Sequence, residues 1–169
     1  VIQESLLFPY LEGAGYVQDL WRNGERVAPF GDRLPLSTEQ VLTHDRGDGP
    51  VWLELEVEGG RVLHEDGLGR LEIGVLLETH LGRGRGSLAE GWGGDRYVLV
   101  EGDGDSGLAW VSVWDDEGSR DGFVAALAPR LSGFGGDATL QATTVAGQAG
   151  AILRVGLSPD VIVTASPVP

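Results

Sequence analysis

Arg96-Tyr97-Val98-Leu99-Val100-Glu101 and Leu108-Ala109-Trp110-Val111-Ser112-Val113-Trp114 stand on either side of Gly102-Asp103-Gly104-Asp105-Ser106-Gly107. Two runs rich in β-branched and aromatic residues, joined by a Gly/Asp turn, predict a β-hairpin with strands at 96–101 and 108–114. Tyr97, Leu99, Trp110 and Ser112 mark the alternation along it. The elements on either side decide what sheet this hairpin joins.

Downstream, Asp115-Asp116-Glu117-Gly118-Ser119 sets carboxylates where they suit the positive end of a helix dipole. Phe123, Val124, Leu127 and Leu131 supply that helix with an apolar stripe. Strands at about Ala138–Val145 and Ala151–Val155 follow, joined through Ala146-Gly147-Gln148-Ala149-Gly150. Upstream, Leu68, Leu71, Val75 and Leu76 recur at helical spacing until Gly82-Arg83-Gly84-Arg85-Gly86 breaks the pattern. Before them, Val51-Trp52-Leu53-Glu54-Leu55-Glu56-Val57 alternates apolar and acidic residues as a half-buried strand does. The order β-α-β-β-α-β-β predicts an α+β fold with a ferredoxin-like split β-α-β core, both helices on one face of an antiparallel sheet, and an extra edge strand.

The amino-terminal residues add a helix from Pro9 to Arg22, with Leu11, Ala14, Val17 and Leu20 at three- and four-residue spacings, ended by Asn23-Gly24. Ser37-Thr38-Glu39-Gln40 has the form of a capping box and predicts a single further helical turn. The layout is a helical and extended segment at 1–49, an α+β core at 50–157 and a Pro-ended tail at 158–169.

Composition narrows the function classes. The net charge is −14, with 26 acidic against 12 basic residues and no Lys, so most of the surface repels phosphate backbones and anionic membranes, and nucleic acid is disfavoured as a partner. Cys is absent, which removes disulfides, thiolate metal sites and a Cys nucleophile. No apolar run approaches the roughly 20 residues of a membrane span. Val1-Ile2-Gln3-Glu4 lacks the basic start of a signal peptide, so an exported form would be a processed chain.

No cofactor or metal site is read from the residues. The three His stand at 44, 64 and 80. His64-Glu65-Asp66-Gly67-Leu68 is not a zinc helix, because position 68 is Leu where a second His would have to face the same metal; an exposed loop is expected there. Asp103-x-Asp105 echoes the start of a calcium loop, yet position 114, where the bidentate Glu belongs, is Trp. The Arg-bearing glycine loop at 82–86 follows a helix rather than opening one, which fits a linker better than a phosphate cradle. No Ser has a nucleophile-elbow context, and a catalyst built on carboxylates alone would need burial and proximity that spacing does not supply. Gly91-Trp92-Gly93-Gly94-Asp95-Arg96 is the most unusual string. It reads as a packed corner entering the hairpin or as a ligand-contacting loop. Trp92, Asp95 and Arg96, with Trp114 at the hairpin's far end, are the candidate ligand or partner contacts.

Phe8-Pro9-Tyr10, Pro35-x-Ser37-Thr38-Glu39-Gln40-Val41-Leu42, Glu65-Asp66-x-Leu68-Gly69, Gly91-Trp92-Gly93-Gly94-Asp95-Arg96 and Trp114-Asp115 occur in an order that resembles the carboxy-terminal half of uncharacterised bacterial zincin-like, metallopeptidase-related proteins that are often exported. The resemblance runs to about Leu131. It implies an HExxH helix upstream of these strings, and this chain contains none, so no metal ligand or general base is carried over. The expected function is therefore a non-catalytic binding or structural domain with a protein partner and an extracytoplasmic location. The alternatives are an accessory subunit of a larger extracytoplasmic assembly, with a membrane-associated partner, and a fragment of an active metallopeptidase.

Overall fold

A computed structural model describes residues 2–25, 31, 34–102, 105–135 and 137–168. The elements are α1 (Ile2–Arg22), α2 (Thr38–Thr43), β1 (Leu53–Glu58), β2 (Arg61–Asp66), α3 (Gly69–Leu81), β3 (Trp92–Gly102), β4 (Asp105–Trp114), α4 (Glu117–Leu127), β5 (Ala138–Val145), β6 (Gln148–Val155) and β7 (Ile162–Pro167). Short 3-10 turns cover Gly86–Ala89 and Ala128–Phe134.

Strands β2-β3-β4-β6-β5, in that order, form an antiparallel sheet, and β1 pairs with β7 in a separate two-stranded ribbon. The class is α+β, with an amino-terminal helix. Successive side chains of a strand point to opposite faces, and β4 uses both. Trp110 and Trp114 meet Ile73 and Leu77 of α3 and Phe123 and Leu127 of α4 on one face. Ala109, Val111 and Val113 join Val98 and Val100 on the other, where Leu53, Leu55 and Val161 cover them. The result is three layers, with the helices on one side of the sheet and the ribbon on the other.

Within this class the ferredoxin-like connectivity is corrected. A split β-α-β leaves a gap for another strand between the two strands that flank its first helix, whereas β2 and β3, which flank α3, are adjacent and antiparallel. The expected first strand, β1, lies outside the five-stranded sheet. Its alternation of Leu and Glu states that one face is buried but not against what, and a ribbon lying on the sheet satisfies it as well as a strand within it. The strand that takes the edge is β2, Arg61-Val62-Leu63-His64-Glu65-Asp66, every residue of which is exposed; it carries no apolar alternation, so the expected loop around His64 is an edge strand instead. The segment expected as a tail supplies β7, paired with β1 from Leu53↔Pro167 to Glu58↔Ile162.

Local signals set the remaining elements. Ser37 caps α2, its Oγ accepting from Gln40 N at 3.2 Å, while Gln40 Oε1 accepts from Leu36 N at 2.7 Å, a close variant of the expected box. Asp116 caps α4 through Ser119 N at 2.8 Å. Helix α1 begins earlier than expected and runs through Pro9; a proline near the first turns removes one backbone donor, and the rest of the ladder survives. No helix among the described residues is long and apolar enough to cross a membrane.

The start of β1 is fastened to β3 where the β3–β4 register slips, between Trp92 and Gly94. Val51 N donates to Gly93 O at 2.7 Å, and a side chain at Gly94 would collide with the carbonyl oxygen of Val51. Replacing Gly94 with Ala is expected to lower unfolding free energy by about 1–3 kcal/mol, the usual cost of forcing backbones apart. Urea denaturation checks this, and an unchanged midpoint would show that the crossing tolerates a methyl group.

Candidate functional site

Helix α3 opens without a capping side chain of its own; Leu68 occupies the cap position. The unpaired N–H groups of a first turn need acceptors, and they find them in distant segments. Asp95, on β3, takes Gly69 N on Oδ1 and Leu68 N on Oδ2, each at 2.8 Å. Thr38 Oγ1, at the start of α2, accepts from Leu71 N at 3.2 Å. Two indoles complete the Asp95 shell, with Trp92 Nε1 donating to Oδ1 at 3.0 Å and Trp110 Nε1 to Oδ2 at 2.8 Å. Each carboxylate oxygen thus receives two donors, which fills its lone-pair sites, and the charge faces the positive end of α3.

Trp92, Asp95 and Arg96 line one cleft of about 240 Å³, together with Leu36, Trp52 and Leu68. Arg96 is held by Glu65 of β2, Nη2 to Oε1 at 2.8 Å. Trp52 and Leu36 are mostly exposed at the cleft. Trp114 is not part of it. Its ring packs on Phe123 with centroids 4.8 Å apart, its Nε1 donates to Ser112 Oγ at 3.0 Å, and it borders a separate cleft of about 640 Å³ that carries Asp48, Asp115, Asp116 and Glu117. In the string around Trp92, Asp95 thus serves the fold, while Arg96 Nε is buried beside the cleft without a hydrogen-bond partner among the described residues. Asp95 cannot take up a ligand without giving up hydrogen bonds that hold the start of α3 in place.

The remaining sequence candidates are dispersed. His44 ends α2 with φ 59° and approaches Asp19 Oδ2 at 3.2 Å; His64 lies on β2, its ring 5.9 Å from that of Tyr97; His80, in the last turn of α3, stacks on Phe134 at 4.6 Å. Among the described residues no three His, Asp or Glu are grouped as metal ligands. In the glycine loop after α3, Gly84 N donates to Glu78 Oε1 at 3.2 Å, so a backbone donor suited to an anion is directed at the chain's own carboxylate. Asp103 lies outside the described residues, while Asp105 begins β4.

Sequence reasoning missed Glu39. It sits in α2 and is 5% exposed, with Arg70 Nε 3.7 Å from Oε1. Burial raises its pKa to about 7 from 4.5, Arg70 opposes the rise, and Asp115 and Asp48 add to it. Its place right after the capping Ser-Thr predicts helix, but nothing in the sequence tells how deeply that helix is buried.

The family model described as a domain of unknown function, DUF8575, matches residues 57–167. The chain belongs to that family, and the match runs from β1 through β7. No curated protein and no solved structure matches the chain.

Two expectations follow. Asp95→Asn keeps the shape but turns one acceptor into a donor facing two donors, and should cost about 2–4 kcal/mol of stability with a change in tryptophan emission; an unfolding curve like that of the parent would refute the role of this carboxylate. An acid with a raised folded pKa favours the folded state below its unfolded value and loses that contribution as pH rises through its folded one. For Glu39 the window is about 4.5 to 7, and Glu72 and Asp115, also raised by burial, act in the same sense. Glu39→Gln should flatten the fall in melting temperature across that window, and a slope equal to the parent's would place the titration elsewhere.

Proposed function

We propose that this chain is a non-catalytic binding domain that docks a protein partner through α1. One observation carries the reading. Leu7, Leu11, Ala14 and Trp21 follow helical spacing along an exposed face of α1, with Leu6 and Tyr10 beside them, and Tyr10, Leu6 and Leu11 are 76%, 66% and 63% exposed. A contiguous apolar stripe on a surface helix is the usual form of a helix docking face. The partner's chemistry follows from charge. Helix α1 carries Glu4, Glu12 and Asp19 against Arg22 alone, and the whole chain is at −14, so a partner helix with an apolar stripe flanked by Lys and Arg fits, whereas a second copy of the chain is repelled.

The resemblance to the carboxy-terminal half of zincin-like proteins supports the same reading, as a non-catalytic part of such a protein or an accessory subunit beside one. A zinc-dependent peptidase activity in the purified chain, abolished by chelator and restored by zinc, would overturn it.

The docking face is tested with two labelled synthetic helical peptides that share a leucine stripe, one flanked by Lys and the other by Glu. The Lys peptide is expected to bind the chain in anisotropy titrations and to lose at least about tenfold in affinity against a Leu7→Ser/Tyr10→Ser/Leu11→Ser variant, which keeps every charge. Binding that persists in this variant would reflect net charge alone and sink the proposal. So would a dimer seen by light scattering that the variant dissolves, since the occupant would then be a second copy.

A further inference from the structure

The helix face of the sheet is not fully covered. Beside α3, Leu76 of that helix together with Tyr97, Leu99, Trp110 and Phe134 borders a pocket of about 470 Å³, within the roughly 300–1,000 Å³ of small-ligand sites. All its lining side chains are aliphatic or aromatic. An adjoining cavity of about 360 Å³ shares Leu99 and Phe134 with it and continues to Leu63 on edge strand β2. Leu63 and Leu99 on these walls are 43% and 36% exposed, which leaves an entrance.

The walls of the larger pocket offer two polar groups, and the exposed hydroxyl of Ser106 stands at the adjoining cavity. The Trp110 indole N–H is already given to Asp95 at 2.8 Å. The Tyr97 hydroxyl has no hydrogen-bond partner among the described residues. Neither cavity has a cation in its lining, and the chain's net charge is −14. Phe134 closes the rim from the end of the 3-10 turn Ala128–Phe134, and next to it Gly135 has φ +75° and open space where a side chain would stand.

We infer that this pocket binds a neutral, chain-like apolar molecule with a single hydrogen-bonding tip, of the kind a medium-chain alcohol represents, its aliphatic body between Leu76 and Leu99 and its tip on Tyr97. A chain-like body follows from the adjoining cavity that shares walls with the pocket, apolarity from those walls, the tip from the one uncommitted hydroxyl of the larger pocket, and neutrality from the lack of any cation to hold a carboxylate. The site is separate from α1 and does not depend on the docking proposal.

The test uses the neutral fluorophore N-phenyl-1-naphthylamine on the whole chain, with decan-1-ol and decanoate as competitors. The fluorophore should brighten on binding, and decan-1-ol should displace it at least about tenfold more effectively than decanoate. Leu76→Trp should abolish binding; Leu99→Trp, at a partly exposed wall position, gives a second blocking variant if the first does not fold. Tyr97→Phe should weaken decan-1-ol by roughly fivefold, in keeping with the loss of one neutral hydrogen bond, and leave the fluorophore unchanged. Absence of fluorophore binding, or binding unaffected by a folded blocking variant, would overturn the site. Decanoate competing as well as decan-1-ol would overturn its assignment to neutral ligands. The α1 triple-serine variant should bind the fluorophore as the parent does, so failure of the docking face and failure of the pocket give different results.

Discussion

A partly buried carboxylate is held in place when its lone pairs are met by donors, and Asp95 has four donors from three elements. The two backbone N–H groups set where α3 begins. The two indoles set how Trp92 and Trp110 lie in the helix-side core, where they pack with Ile73, Leu77 and Phe123. Nearby, Thr38 Oγ1 accepts from Leu71 N and thereby ties α2 to the same helix start. The start of α3 against β3 and the setting of both indoles depend on this one acceptor.

Much of the core was legible because its signals are local. The hairpin β3–β4, helices α3 and α4 and the pair β5–β6 stand close to where alternation, helical spacing and capping residues put them. What escaped was pairing. The β2 segment is exposed throughout and shows no apolar alternation, and its pairing with the edge of β3 is not written in its side chains. The β7 segment is apolar, but its partner β1 lies near the other end of the matched family region. Side-chain periodicity reports which faces are buried and is silent on which edge bonds to which, and the connectivity was misread for that reason.

The candidate site was half legible for a related reason. Glycines around Trp92 and the neighbouring Asp95-Arg96 marked an unusual corner, and three of the four candidates do meet. Trp114 was grouped with them on sequence alone; it stands opposite Trp92 in the hairpin, yet its ring lies against Phe123 and outside the cleft. Trp110, which completes the Asp95 shell, was visible only as one more strand residue, since its relation to Asp95 is diagonal across the hairpin and depends on the register. Glu39 needed burial to become notable, and burial is a property of the packed whole. The exposure of α1 is of the same kind, because helical spacing predicts an apolar stripe and leaves open whether the stripe is covered.

The ribbon of β1 and β7 gives the chain an order of assembly. Leu53 bonds opposite Pro167, so the ribbon closes the longest loop in the fold, and such contacts gain nothing until that entropy is met. During synthesis β7 is the last strand to emerge, and until it does β1 lacks its partner and the valines at 98, 100, 111 and 113 lack their finished cover. A nascent chain therefore presents a flat, β-branched apolar face for as long as translation takes to reach residue 167. That is the surface on which chains stick to one another. Carboxylates spread along the sequence give each unfinished chain a charge of the same sign as its neighbours, so the acidity of this protein protects it while it is still being made.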